Sequence, residues 1–381
     1  MIKSVRSRRD SLPDHPWVYR KQVASPEPGT RNGDPVRILG SDGRPLGAGL
    51  FNGKSQLAIR VLTMDPAVEI DRAFLAGRLD RAVRLRRETL RLEERTDAFR
   101  VVNSEGDGLS GLIVDRYGDL LVAQIRCLGF FRLAPEVREI LRGHFPGARM
   151  LFRRDREAEK IEGFRVPDPE EGPPTEIRCD GLRFGVDPAA GHKTGLFLDQ
   201  RDNRRLAATA ARGRDVLDLF CYEGAFALAC AKAGAKSVRG ADLDEAAIAR
   251  ARENARRNRL DVEFTHADAF EILRGRPRTD FLLLDPPRWI SSPEDDAEGR
   301  RRYMDLNRLA MEALPEGALL MTSSCSGRLS RETLLGILRE AAARAGKHLR
   351  FLSIHGPAPD HPVPANFPEG HYLTAVFAVV G

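Results

Sequence analysis

The stretch Asp215–Asp242, DVLDLFCYEGAFALACAKAGAKSVRGAD, constrains the fold more than any other part of this 381-residue chain. Val216, Leu217, Leu219 and Phe220 form a short apolar run of the kind that makes a buried strand. A turn at Cys221-Tyr222-Glu223-Gly224 leads into an Ala-rich, helix-favouring segment that ends at Gly234. A second short strand, 237–241, stops at Asp242. Gly224 lets the backbone approach a ligand closely, and the helix N-terminus behind it carries partial positive charge. An acid closing the second strand, roughly two dozen residues beyond Asp218, is placed to bridge a ribose diol. The spacing predicts a bound nucleoside. An ordinary strand–helix–strand unit with no ligand is the alternative.

Only Gly224 stands in register with a G-x-G-x-x-G fingerprint, so a dinucleotide pyrophosphate cradle is poorly supported. The turn, with Asp218 at the strand end, resembles motif I of the class I S-adenosylmethionine-dependent methyltransferases. That resemblance implies a cofactor pocket built from Asp218, Phe220, Cys221, Tyr222 and Gly224, with Asp242 and Leu243 after the second strand.

The length suggests two or three domains. No apolar run approaches the ~18–20 residues of a membrane span. The N-terminal MIKSVRSRRD is basic but no apolar segment follows, so a signal peptide is not expected. Cys127, Cys179, Cys221, Cys230 and Cys325 are scattered and never spaced as C-x-x-C, which indicates neither a disulfide framework nor a metal site. A soluble, cytoplasmic protein is expected. Net charge is +6, carried mostly by Arg. This suits a polyanionic partner, although a bias toward Arg codons accounts for it equally well.

Residues 1–68 read as a small β-rich module, with apolar segments 36–39, 48–51 and 57–62 separated by Pro28-Gly29, Asn32-Gly33-Asp34, Asp42-Gly43 and Asn52-Gly53. His15-Pro16-Trp17-Val18-Tyr19 and the closing Gly49-Leu50-Phe51-Asn52 and Ala58-Ile59-Arg60-Val61 resemble the PUA domain, a compact β-barrel. The resemblance implies RNA docking by the module. Trp17 and Tyr19 themselves are expected to plug its core.

A strongly charged helical segment is expected over 71–100, with Phe74, Leu75, Leu79, Val83 and Leu90 on one stripe. Arg78, Arg81, Arg84, Arg87 and Arg91 cover the remainder, read as a solvated face with RNA backbone contact as the alternative. A hairpin is expected around Tyr117-Gly118-Asp119, then a helix over 134–142, a strand over 149–152, and a Pro/Glu-rich loop over 166–174. These make a central α/β domain over 71–176. A further hairpin turns at Asp180-Gly181.

The run His192–Arg204, HKTGLFLDQRDNR, is dense in hydrogen-bonding side chains. In position it closes over the cofactor, with Lys193 or Arg201 on a carboxylate and Phe197 against adenine. A helix N-terminus with solvated charges is the alternative. After Asp242, Asp244 is expected to cap a helix running to Asn258. The strand 262–265 leads to Asp268 and Ala269, with Asp268 placed to accept from the adenine amino group. The strand 281–284 opens into Asp285-Pro286-Pro287-Arg288-Trp289. The alternation predicts a parallel, doubly wound, Rossmann-like sheet over 177–381, whose ligands sit at the C-terminal strand ends. Asp218, Asp242, Asp268 and Asp285 all occupy such ends.

Asp285 sits on a turn stiffened by two prolines. In methyltransferases this position faces the methyl acceptor, so Asp285 is expected at both cofactor and substrate, with Pro286, Pro287, Arg288 and Trp289 on the substrate. A strand-end Asp that only caps the next segment is the bland reading. The acidic loop 291–299 is expected to be mobile and to gate the site. Cys325, in Ser323-Ser324-Cys325-Ser326-Gly327, follows a fifth apolar strand, on the same edge as Asp285, and precedes a helix beginning near Ser330. Cytosine C5 is a poor nucleophile until a thiolate adds to C6. Cys325 is the candidate for that addition, Asp285 for holding N3 and the exocyclic amine. A small buried Cys without a role is the alternative, and Cys221 is a weaker rival.

The PUA-like N-terminus, H-K-T-G-L-F-L-D-Q-R-D-N-R, L-D-L-F-C-Y-E-G-A-F, D-P-P-R-W, S-C-S-G and the tail Asp360-His361-Pro362-Val363 to Tyr372-Leu373 together resemble the bacterial 23S ribosomal RNA cytosine-C5 methyltransferase family, over essentially the whole chain. The resemblance implies a PUA domain, a central α/β domain and a Rossmann-like catalytic domain, a homodimer, large-subunit rRNA as partner, and Cys325 as nucleophile. Arg288-Trp289 replaces the usual Lys-Phe, and Glu223 stands where Thr or Ser is common. A guanine-N7 or adenine-N6 methyltransferase, which needs no cysteine, is the second reading. A non-catalytic RNA-binding assembly factor is the third, and a small-molecule methyltransferase leaves the N-terminal half without a purpose.

Overall fold

The computed structural model describes residues 3–167, 174–187 and 196–381. The chain divides into two compact units. One comprises Met1–Gly181, Val186–Gly195 and Pro359–Pro368, the other Leu182–Gly185, Leu196–Ala358 and Glu369–Gly381.

In the first unit, β1 (Lys3–Ser7), β2 (Trp17–Tyr19), β3 (Val23–Pro26), β4 (Pro35–Leu39), β5 (Pro45–Phe51) and β6 (Leu57–Thr63) form a sheet in the order β2-β6-β5-β4-β1-β3. Its core holds Val5, Val18, Ile38, Phe51 and Ile59. Trp17 and Tyr19 do not plug it. Side chains alternate along a strand, so Val18 pointing inward puts both neighbours on the other face. Tyr19 is exposed, while the Trp17 ring meets His15 and Phe367 and its Nε1 donates to Glu105 at 2.9 Å.

The expected helix over 71–100 is shorter. Asp71 caps α1 (Arg72–Arg84), which buries Leu75, Leu79, Ala82 and Val83. A π-helical turn (Leu85–Thr89) follows, and Arg91 adopts a left-handed φ of 49° that ends helical propagation. β7 (Ala98–Asn103) then begins inside the predicted helix. It pairs with β8 (Leu112–Tyr117), which turns through Gly118-Asp119 into β9 (Leu120–Ile125). Helices α2 (Leu128–Arg132) and α3 (Ala134–His144) carry the chain to β10 (Arg149–Arg153), parallel to β9. After α4 (Arg156–Glu162), β11 (Thr175–Cys179) and β12 (Leu182–Val186) form the hairpin at Asp180-Gly181.

From α5 (Arg201–Ala210) onward the second unit alternates: β13 (Asp215–Leu219), α6 (Ala225–Lys232), β14 (Ser237–Asp242), α7 (Glu245–Asn258), β15 (Glu263–His266), α8 (Ala269–Arg274), β16 (Phe281–Leu284), α9 (Asp296–Ala313), β17 (Leu319–Ser324) and α10 (Arg331–Arg344). Asp244 and Ser330 cap α7 and α10 as expected. β18 (Leu349–His355) and β19 (Thr374–Val380) complete a sheet in the order β15-β14-β13-β16-β17-β19-β18. It is doubly wound, but β19 runs antiparallel between β17 and β18. Between β18 and β19 the chain forms only a 3-10 turn, and a parallel return needs a crossover element.

The segment expected as a gating loop, 291–299, is half helix. Asp295 accepts from Ser291 and Ser292 backbone N–H groups at 3.1 and 2.9 Å, and α9 starts one residue later. A Cβ at Gly299 would lie 2.8 Å from the Trp289 carbonyl oxygen, so this helix packs tightly onto the D-P-P-R-W segment. Among the described residues no helix is long and apolar enough to cross a membrane.

Candidate active site

The sheet register gathers the acids. β13 pairs with β14 on one side and β16 on the other, with Leu219 opposite both Ala241 and Leu284. Asp242 pairs with His266 of β15. Asp218, Asp242, Asp268 and Asp285 therefore lie along one edge, at the ends of four adjacent strands.

Beyond β13 the backbone is unusual. Phe220, Tyr222 and Gly224 all have positive φ, at 64°, 49° and 80°. Two non-glycine residues in this region carry local strain. The turn is held by Cys221 N–H to Ala241 O at 3.1 Å, Tyr222 N–H to Asp242 Oδ2 at 2.8 Å and Gly224 N–H to Cys221 O at 2.8 Å. Any Cβ at Gly224 would sit 2.6 Å from Phe264 Cζ, so both φ and space demand glycine there.

Asp218 Oδ2 accepts from Ala227 N–H at 3.0 Å, and Oδ1 has no partner among the described residues. Burial pushes its carboxyl well above the ordinary range, the Ala227 bond opposes this, and Asp285 and Asp242 add repulsion. A buried, orphaned acceptor of this kind fits a donor or cation supplied by a ligand. Asp242 uses one oxygen on Tyr222 N–H and the other on Asp244 N–H at 2.9 Å, which leaves each a second lone pair. Asp268 caps α8 through Glu271 N–H at 3.0 Å, and Ala269 is buried in the first turn. Leu243 is exposed, and its carbonyl oxygen meets His266 Nε2 at 3.0 Å.

Phe197 stands edge-on to Tyr222, with centroids 5.1 Å apart. The Arg250 guanidinium lies 5.7 Å from the other ring's centroid and donates to Glu223 at 2.7 Å. Burial, then the neighbouring Glu223, pushes the Tyr222 phenol up to about 12. Arg201 is fully buried at the start of α5, with Asp202 at 3.6 Å, while Asp199, Gln200, Asn203 and Arg204 are buried as well. These are not solvated charges at a helix end. Lys193 lies outside the described residues.

Asp285 Oδ1 accepts from Gln200 Nε2 at 2.8 Å and from the Ser323 hydroxyl. Asn203 Nδ2 in turn donates to Gln200 Oε1 at 2.6 Å and to Gly356 O at 3.2 Å. Leu284 pairs with Thr322, which puts Asp285 and Ser323 side by side one residue on. Pro286 is buried, while Pro287 and Arg288 are exposed. Trp289 packs between Phe220, Phe270 and Tyr303 at 6.0, 6.2 and 4.9 Å, with the Arg302 guanidinium 5.8 Å from its ring centroid. The residue after β17's last serine is Cys325, partly exposed while the other four cysteines are buried. Burial and then Asp218 and Asp242 push the Cys221 thiol well above its ordinary value. Cys221 thus lacks the environment of a ready thiolate.

Sequence reasoning missed Gln200, Asn203 and Tyr303, and placed Ser323 with the thiol rather than on Asp285. The polar density of L-D-Q-R-D-N-R was the signal for the first two. Tyr303, inside a charged helix, gave none. Together these groups line one end of the sheet with an acceptor for a bound cation or donor, a carboxylate fixed by two donors, and a partly exposed cysteine just past the adjacent strand end.

A family profile described as S-adenosylmethionine-dependent methyltransferase matches residues 147–366, and one described as PUA-like domain matches residues 12–64. The chain is 36% identical over 382 residues to a ribosomal RNA large subunit methyltransferase I of Shewanella denitrificans, covering 96% of this chain and 95% of the relative. Its counterpart in Shewanella amazonensis is 37% identical over 392 residues, covering 100% and 99%. A SAM-dependent methyltransferase from Streptococcus mutans shares the fold at a TM-score of 0.81 and 19% identity, with 100% of both chains aligned.

Proposed function

Because the chain belongs to the S-adenosylmethionine-dependent methyltransferases, in the family of the ribosomal RNA large subunit methyltransferases I, we propose that it methylates C5 of a cytosine in 23S ribosomal RNA through a covalent cysteine adduct. The observation that carries this reading is the partly exposed Cys325 directly after the strand that pairs beside the Asp285 segment.

The turn fits the cofactor: an orphaned acceptor on Asp218, a glycine cradle at Gly224, and the acids Asp242 and Asp268 with Leu243 and Ala269 beyond. Phe197, Phe220, Cys221 and Tyr222 line the same turn in this reading, with Lys193 and Arg201 assigned to a carboxylate. When bound, S-adenosylmethionine supplies an electrophilic methyl group on a sulfonium.

The chain's own residues do the rest. The Cys325 thiolate adds to cytosine C6, forming a C–S bond and moving the C5=C6 electrons toward C5 and N3. N3 takes up a proton as the adduct forms, and Asp285 accepts from this N3–H and from the exocyclic amine, its orientation set by Gln200 and Ser323. Once C5 is substituted, a base takes its proton, the C5=C6 bond re-forms and the sulfur leaves C6. Pro286, Pro287, Arg288 and Trp289 shape the base pocket, and the target base is flipped from its stack to reach it. The modules 1–68, 71–176 and 177–381 divide the work into RNA docking, support and catalysis, and the PUA-like match over 12–64 supports the first assignment. The enzyme acts as a cytoplasmic homodimer in this reading.

The test is 23S rRNA transcribed with 5-fluorocytidine and incubated with cofactor and protein. Fluorine blocks the final elimination, so a stable RNA–protein adduct through Cys325 is expected, mapped by mass spectrometry. Methyl transfer to ordinary RNA with no adduct on fluorinated RNA, or full activity in Cys325→Ser, would point instead to a guanine-N7 or adenine-N6 acceptor.

A further inference from the structure

Tyr303 lies on α9, fully buried, with its ring against Trp289 at 4.9 Å. Its hydroxyl reaches the two serines that flank the proposed nucleophile. Ser324 Oγ donates to Tyr303 Oη at 2.9 Å, and Tyr303 Oη lies 3.2 Å from Ser326 Oγ. Ser326 N–H donates to Ser324 Oγ at 3.2 Å, which closes a small turn with Cys325 at its tip. Ile290 N–H donates to Ser326 Oγ at 3.4 Å.

One assignment of protons satisfies all four contacts. Ser324 gives its proton to Tyr303, and Tyr303 gives its own to Ser326, which also accepts from Ile290. The chain of bonds thus runs from one side of Cys325 to the other through a phenol that is packed in the core. Burial keeps that phenol protonated by raising it above its ordinary value, although the two serines oppose the shift. The same side chain touches both segments that carry the chemistry: its ring meets that of the last residue of D-P-P-R-W at a tilt of 60°, and its hydroxyl holds the S-C-S turn. No other described side chain is shown bonding to both Ser324 and Ser326.

We propose that Tyr303 is the positioning residue of this active site, its hydroxyl fixing the Cys325 turn relative to the Asp285 segment. The proposal rests on the covalent reading of Cys325. Attack on C6 requires the sulfur at near-attack distance, and displacement of about 1 Å costs on the order of a hundredfold in rate. Tyr303→Phe keeps the ring against Trp289 and removes only the hydroxyl, which releases the Ser324 and Ser326 side chains on both sides of the cysteine at once and leaves the turn to its backbone donors.

The test uses the full-length enzyme and 23S rRNA transcripts with ordinary or 5-fluorinated cytidine. For Tyr303→Phe the expected result is a ten- to hundredfold slower single-turnover adduct formation, with KM for RNA and S-adenosylmethionine affinity by calorimetry unchanged. Iodoacetamide labelling of Cys325, followed against pH by mass spectrometry, should show a displaced profile. A Ser324→Ala, Ser326→Ala double variant should be equally slow, and adding Tyr303→Phe to it should cost nothing more, since the three act as a unit. Wild-type adduct rate and labelling profile in Tyr303→Phe would overturn the proposal, and so would full additivity with the serine variants. Cys325→Ala separates this from failure of the covalent reading: if Cys325→Ala still methylates RNA, the nucleophile assignment falls and the role of Tyr303 falls with it, whereas an inactive Cys325→Ala beside a normal Tyr303→Phe overturns the positioning role alone.

Discussion

Gln200 donates from Nε2 to Oδ1 of Asp285 at 2.8 Å, across 85 residues of sequence. One oxygen of the carboxylate is thereby held by an amide, itself held by Asn203, and by the Ser323 hydroxyl. A carboxylate fixed in this way keeps a defined orientation, which is what recognition of a planar base edge demands.

Gln200→Leu should therefore lower kcat about ten- to hundredfold by loosening Asp285, while S-adenosylmethionine affinity stays near wild type. Steady-state kinetics on rRNA together with calorimetry check this. A fall confined to cofactor binding would move Gln200 from Asp285 positioning to the cofactor pocket.

Thiol labelling should separate the cysteines. Burial raises Cys127 to about 11, so roughly a thousandth of it is ionised at pH 8 even before access is considered. Cys221 and Cys230 are buried and raised as well, in both cases by burial first. In the native protein at pH 8, iodoacetamide should modify Cys325 well before these three, as read by peptide mass spectrometry. Cys221→Ala should keep the covalent trapping of fluorinated RNA.

Asp218 makes folding pH-dependent. Its folded pKa lies well above the ordinary 3.8, chiefly through burial, so the native state binds the proton more tightly than the unfolded chain. Its contribution to stability is complete below about 3.8 and is lost as pH rises through the folded value. Asp218→Asn preserves the acceptor for Ala227 N–H without the buried charge. It should raise the melting temperature at pH 8, with the gain shrinking toward pH 4, and weaken S-adenosylmethionine binding. Equal melting temperatures at both pH values would mean that the carboxyl is not the source of the effect.

Arg86 is a buried cation with a full set of partners. It meets Asp107 at 2.5 and 2.9 Å, the Asp360 carbonyl at 2.6 Å and the Arg100 carbonyl at 2.9 Å. Arg86→Met leaves Asp107 buried without its cation and should cost ~3–5 kcal/mol, measured by urea unfolding. Arg84→Ala, two residues away on an exposed i,i+4 pair, should change stability by less than ~1 kcal/mol.

The charged run around these two arginines shows where sequence reading stops. Both look alike in R-L-R-R-E-T-L-R, yet one is solvated and the other is fully buried. The break at Arg91 that turns the chain inward is a backbone event with no residue signature, since arginine rarely adopts positive φ. Likewise Val18, rather than its aromatic neighbours, was chosen for the barrel core by the pairing of β2 with β6.

What the sequence determined alone is the strand–turn–helix–strand unit at Asp215–Asp242, the alternation after it, and the acids at four strand ends. These depend on apolar runs, caps and glycines whose effects act over a few residues. The partners of Asp285, the Tyr303 bridge across Cys325 and the antiparallel insertion of β19 were decided only by tertiary structure. Each joins positions about twenty or more residues apart, and such contacts exist only after the sheet has set the register that brings their elements together.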